Sequence, residues 1–294
     1  MSVVRQPSGY SKMNFVLSSV VNADPVARGG HFAARRLDLD GLGRFAAPVM
    51  GLDHYRMSGP TFAAHPHAGF SAVSYVLEDS AGGLRSRDSL QHDVVIEPGA
   101  IVWTQAGTGI VHDEFPAQMG REVHALQVSI NLSRQNKSLP PRMFQLATTA
   151  IPVVSDANGN RTRVLSGGFS DTNSLLELAE PFDFLDVTVL RRWSFQVPKN
   201  RNVLVYVLSG NVEVRASGQS RALRPLQAVA GRCIKPDILH VTTTSPAQIL
   251  LLSGTDPREP VAVYGPFIMN DEAQLTAAFD RYRKGEMGRL APLS

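Results

Sequence analysis

The sequence has a single cysteine, Cys233, which excludes an intramolecular disulfide and any multi-cysteine zinc site. A buried, inert thiol in a reducing compartment is the expectation. Long uninterrupted apolar runs are also missing. Arg5, Lys12, Asp24 and Arg28 interrupt the first 30 residues, so neither a secretory leader nor a membrane span is expected there or later. Charge of one sign is not concentrated: 29 Lys and Arg face 26 Asp and Glu, for a formal net charge of +3. The basic groups Arg35-Arg36, Arg191-Arg192 and Arg281 to Lys284 are short and scattered. A surface built for phosphate backbones clusters more densely, so the expectation is a cytoplasmic protein with no direct nucleic-acid binding and no membrane contact.

What the sequence does have is apolar material in short pieces. At 294 residues and 43% hydrophobic, with 19% charged, the chain can build two domains with cores of their own. β-Branched and apolar runs recur at 72–77, 93–96, 100–104, 123–131, 185–190, 203–208 and 248–252. Turn signals such as Ala81-Gly82-Gly83, Glu97-Pro98-Gly99 and Ser209-Gly210-Asn211 separate such runs. The pattern predicts an all-β protein. It stops at the polar stretch 133–142, which ends in Pro140-Pro141 and reads as a connection. We therefore expect tandem β-barrels over residues 1–135 and 143–294. One helix is expected at the C-terminus, capped by Asn270-Asp271-Glu272. Leu275, Ala278, Phe279 and Tyr282 lie on its apolar face and Gly285 is placed to end it.

Two short motifs carry chemistry. In His65-Pro66-His67 the histidines are two residues apart, so in an extended strand both imidazoles share a face. Pro66 has no ladder donor and suits a sheet edge or bulge. His112 and Glu114 repeat the same spacing, far enough along for intervening strands to fold the second pair over the first. Three imidazoles and one carboxylate make a mixed nitrogen and oxygen donor set suited to a divalent transition metal such as iron, zinc, nickel, copper or manganese. An octahedral ion held by these four would keep two positions free. A lone His-x-His is a weak signal; its pairing with His-x-Glu strengthens it. His31, His54, His92, His124 and His240 have no such partner and are expected at the surface or in hydrogen bonds. The second half offers one histidine in the corresponding regions, so no second metal is expected there.

His65-Pro66-His67-Ala68-Gly69-Phe70, Ser74-Tyr75-Val76-Leu77, Arg87-Asp88-Ser89, Pro98-Gly99 and Ala106-Gly107-Thr108-Gly109-Ile110-Val111-His112-Asp113-Glu114 together resemble the pirin family in order and spacing. So do Val128 to Leu132, Glu259-Pro260-Val261 and Tyr264 to Asn270. The resemblance implies a bicupin whose N-terminal barrel holds one metal, usually Fe(II), at His65, His67, His112 and Glu114, with a metal-free second barrel. It implies either of two roles. One is a quercetin 2,3-dioxygenase-type oxidoreductase that cleaves a flavonol-like molecule; in that role Glu114 is expected either to remain a ligand or to detach and act as the catalytic base. The other is an iron-dependent regulatory protein that binds a protein partner without turnover. Gln127 and Asp53 are expected to support the ligands. The chain departs from the family pattern at Ala68, where Arg is common, and at Ser71, where an acid is common; a charged rim near the metal is expected to be lost.

Overall fold

The computed structural model describes residues 14–290, so residues 1–13 of the stretch in which no leader was expected lie outside the described residues. The chain is all-β with one C-terminal α-helix, Glu272–Arg283. The predicted runs fall on strands to within one residue at their ends, on Phe70–Val76, Asp93–Ile96, Ile101–Gln105, Val123–Asn131, Phe182–Val189, Arg201–Ser209 and Ala247–Thr255. No helix among the described residues is long and apolar enough to cross a membrane.

Two barrels share one continuous sheet of 13 strands, each completed by a sheet of four. The first barrel's small sheet runs His65–His67, Ile110–Pro116, Leu84–Asp88, Asp93–Ile96; the second's runs Arg192–Val197, Asp237–Thr242, Val212–Ala216, Gln219–Leu223. The joint between the barrels is the long strand Phe15–Gly29. Phe15 to Asn22 pairs with Gln227–Cys233 of the second barrel, whereas Ala23 to Gly29 pairs with Phe32–Leu37 of the first.

The two-residue period of a strand decides where each side chain goes. On Val123–Asn131, Val123 and Ala125 fill the first barrel while Leu126, Val128 and Ile130 face the second barrel. On Ala247–Thr255, Ile249 and Leu251 fill the second barrel while Leu250 and Leu252 pack against the first. These strands are largely buried on both faces, which is why apolar residues dominate both of them, Ile249 to Leu252 without a break. The second barrel's interior is filled by Phe15, Trp193, Phe195 and a set of valines and leucines.

Polar groups cross the inter-barrel layer as a connected network, in which Arg163 Nε alone among the guanidinium nitrogens has no hydrogen-bond partner. Arg163, 1% exposed, donates to the Tyr75 hydroxyl at 2.6 Å, the Gly99 carbonyl at 2.6 Å and Thr148 Oγ1 at 2.9 Å. Tyr75 in turn donates to Asp186, which also accepts from Gln248. Nearby, His54 and His124 meet through their Nε2 atoms at 2.7 Å, with Tyr206 on the far nitrogen of His54 and Asp79 on that of His124.

Asp271 caps the helix by accepting from the Gln274 amide, and Leu275, Ala278 and Phe279 pack on Phe267 and Met287. Tyr282 is the exception on that face, at 40% exposed. The connection 133–142 is more than a spacer. Lys137 is buried and donates to the carbonyls of Gly69 and Ile268 and to Asn131, tying the C-terminal segment to the turn after His67. Gly69 has φ +84°, and a Cβ there would run into the Ile268 carbonyl, so glycine is required for this close approach.

Candidate metal centre

His65–His67 is the edge strand of its sheet, the position in which Pro66 costs no ladder bond. It pairs antiparallel with Ile110–Pro116 so that His65 lies directly across from His112 and His67 from Ile110. Alternation then brings all three imidazoles to the barrel interior. Their ring centroids form a nearly equilateral triangle, 4.8 Å from His65 to His67, 4.7 Å from His65 to His112 and 4.6 Å from His67 to His112. One ligand-capable nitrogen from each lies within 4.8 Å of the others.

The electrostatics suit a cation. Burial, reinforced by His65, lowers His67 to about 3, opposed by the Pro266 carbonyl facing the ring. Burial, reinforced by His67 and His65, holds His112 well below the usual histidine range. Both rings are therefore neutral at physiological pH, the form that ligates metal. His65 Nδ1 lies 3.0 Å from the Ala63 carbonyl, a contact that fixes Nδ1 as the donor and leaves Nε2 for the interior. His67 Nδ1 and both nitrogens of His112 are buried with no hydrogen-bond partner. Buried polar atoms are normally satisfied; an ion takes one nitrogen from each ring, so a metal bound here would give His112, which has no other partner, one of its two missing contacts, and the donor set fits a metal on that observation.

Glu114, the fourth expected residue, lines the same cavity as His65 and His67 but stands outside the cluster of three histidines. Its Oε1 accepts from Ser74 Oγ at 2.6 Å. Burial pushes its carboxyl up to about 7, while the Ser74 and Ser86 hydroxyls pull it back. Ser86 faces Glu114 across the sheet, and Ser74 reaches it from the opposite sheet. Neither serine is given a role at the site by sequence, although Ser74 belongs to one of the family motifs and stands between inward Ala72 and Val76 as a polar residue on an apolar face.

Gln127 lines the cavity, its Oε1 3.5 Å from Ser74 Oγ, and contacts the serine side of the site rather than a histidine. Asp53 is held by Arg36 in a two-point ion pair at 2.7 and 2.8 Å. The loss of a charged rim through Ala68 and Ser71 needs correction. Ala68 is fully buried and bridged to Phe267, and Ser71 is 2% exposed, so neither position forms a rim. The charged groups at the cavity are Arg36 and Asp53 instead.

The remaining histidines lie elsewhere, each in a hydrogen bond: His31 to Ser58, His54 to His124, His92 to Asp88 and His240 to Ser194. The alternation that turns Asp53 and Tyr55 into the cavity turns His54 away. Cys233 is buried, its thiol pushed up to about 11 by desolvation, in keeping with an inert role.

Comparison with known proteins adds a family. The family described as Pirin matches residues 40–130, and that described as Pirin C-terminal cupin domain matches residues 185–288. A pirin-like protein of Caulobacter vibrioides is 33% identical over 230 residues, covering 76% of this chain and 79% of that one. A Pseudomonas aeruginosa protein named as a candidate quercetin 2,3-dioxygenase is 29% identical over 253 residues, covering 81% and 86%. The solved structure of a quercetin 2,3-dioxygenase from Acinetobacter baumannii superposes with a TM-score of 0.82 at 24% identity, over 95% of this chain and 99% of that one. A bacterial pirin from Escherichia coli, solved in complex with nickel(II), superposes with a TM-score of 0.62 at 19% identity, over 82% and 99%. At these identities the two structures show the shared fold.

Proposed function

Because the chain belongs to the pirin family, we propose that it is a metal-dependent oxidoreductase of the quercetin 2,3-dioxygenase type, with His65, His67 and His112 as ligands and Glu114 as an exchangeable fourth. Fe(II) is the first candidate for the metal, with nickel, manganese, copper and zinc compatible with the same donors. The observation that carries the reading is the triangle of three imidazoles, with His112 buried and without a hydrogen-bond partner on either nitrogen, opening on a cavity of about 380 Å³. The names of the Pseudomonas aeruginosa relative and the Acinetobacter baumannii neighbour support the substrate class.

When bound, the metal supplies Lewis-acid polarisation of chelating substrate oxygens and, as iron, redox chemistry with oxygen. The protein's part follows from its own side chains. Phe32, Tyr55, Met57 and Phe62 give the cavity apolar walls that take up a ring system and exclude water. Glu114, held by Ser74 and Ser86, is the acceptor for a hydroxyl proton of a flavonol-like substrate. Its carboxyl sits near neutrality, where it can accept that proton and later release it. We place the protein in the cytoplasm, with the small molecule as its partner and without nucleic acid or membrane.

The test is oxygen uptake with quercetin by the Fe(II)-loaded chain, beside Glu114→Ala. We expect uptake in the native chain and its loss, by a factor on the order of 10² to 10⁴, in the variant. Bound metal with no turnover in the native chain would contradict the dioxygenase and favour a regulatory protein that binds a protein partner.

A further inference from the structure

Of the four apolar wall residues of the cavity, Phe62 is the one exposed to solvent. It stands in the irregular stretch between strands Val49–Met57 and His65–His67, and it is 52% exposed. An aromatic side chain so placed leaves ring surface in water that a ligand would cover. Its ring is not free to lie anywhere. It meets Phe32 edge to face, with centroids 5.1 Å apart at 86°, and Phe32 leans on Tyr55 at 5.8 Å and 38°. The three rings form one aromatic wall that runs from the buried Tyr55 out to the mouth, in the same cavity that His65, His67 and Glu114 line. Phe62 also stands three residues before His65, whose Nδ1 is anchored on the carbonyl of Ala63, the residue next to Phe62.

We infer that Phe62, backed by Phe32, is a specificity-determining residue that covers the outer rings of a planar, multi-ring aromatic ligand while the ligand's hydroxylated edge faces the histidines. The identity of the ligand rests on the function proposed above; the aromatic lip itself does not depend on turnover. A one-ring diol reaches the histidines without reaching the mouth. A three-ring flavonol, which also chelates through adjacent oxygens, extends its outer rings to Phe62.

The experiment is anaerobic titration of the Fe(II)-loaded full chain with quercetin and with catechol, for the native protein, Phe62→Ala and Phe62→Leu, with metal content measured on each. Phe62→Ala is expected to weaken quercetin about tenfold, the scale of one lost aromatic contact, and catechol by less than about twofold. Phe62→Leu is expected to recover part of the loss, with one metal per chain throughout. Equal weakening of both ligands would overturn the inference, since Phe62 would then only support the His65 segment. Unchanged quercetin affinity in Phe62→Ala, or no quercetin binding by the native chain, would overturn it as well. Selective weakening in a protein that binds quercetin without consuming oxygen would uphold the lip and refute the dioxygenase. Turnover with an unchanged quercetin KM in Phe62→Ala would do the reverse.

Discussion

Replacing Glu114 by Gln tests the site's electrostatics without touching a histidine. In the metal-free protein, burial raises the Glu114 carboxyl from its ordinary 4.5 to about 7. The folded chain thus holds this proton more tightly than the unfolded chain does. The associated stability is complete below pH 4.5 and is lost as pH rises through 7. At about 1.4 kcal/mol per pH unit the full loss is roughly 3 kcal/mol. Gln keeps the oxygen that accepts from Ser74 but cannot ionise. Urea unfolding of both metal-free proteins, followed by circular dichroism at about pH 5 and about pH 8.5, should show the native chain losing roughly 2–3 kcal/mol relative to the variant as pH rises. A bound divalent metal favours the carboxylate, so stabilisation by metal should grow with pH in the native chain and grow less in Glu114→Gln. Parallel pH dependences in the two metal-free proteins would refute the argument that this carboxyl is desolvated and primed for a cation.

Three further outcomes follow from named contacts. His112→Ala removes two orphaned ring nitrogens and one corner of the histidine triangle; elemental analysis should show metal reduced by at least about tenfold, with the far-ultraviolet circular dichroism unchanged. Arg163→Ala leaves Tyr75 and Asp186 buried without their cationic partner and should cost roughly 3–5 kcal/mol, seen as a fall in Tm of about 10 °C. His54, packed against His124 with Arg56, Arg35 and Asp79 nearby, is held at about 4, chiefly by burial. Because that value lies below the unfolded one, its stabilising contribution is present above pH 6.5 and lost as pH falls towards 4, roughly 3 kcal/mol in all, and His54→Gln should flatten that limb of the unfolding profile.

The parts of this molecule that were legible in its sequence are those governed by local period. His65-Pro66-His67 and His112-Asp113-Glu114 announce shared faces because strands alternate, and the strand runs and capped helix follow from the same kind of local rule. The sequence is silent where meaning comes from contacts between distant segments. Nothing near Phe15 indicates that it lies across from Cys233 in the second barrel, and nothing near Arg163 indicates Tyr75 as its partner. Lys137 sits in a stretch of polar residues that looks solvated, yet it is buried by carbonyls contributed from Gly69 and Ile268. The same limit applied to Ala68. The missing arginine suggested a lost charge at a rim, whereas docking of Phe267 makes the position interior. Phe32 and Phe62 are thirty positions apart and read as unrelated aromatics until the strands Phe32–Leu37 and Val49–Met57 pair.

The account turns on the histidine triangle holding a metal, and X-ray absorption at the metal edge of the purified, iron-reconstituted chain, with elemental analysis of the same sample, tests it most directly. One metal per chain, with imidazole scattering from three nitrogen ligands, no sulfur, and loss of that signal in His112→Ala, is the predicted result. A metal that survives His112→Ala with its spectrum unchanged, or a chain that takes up no metal, would contradict it.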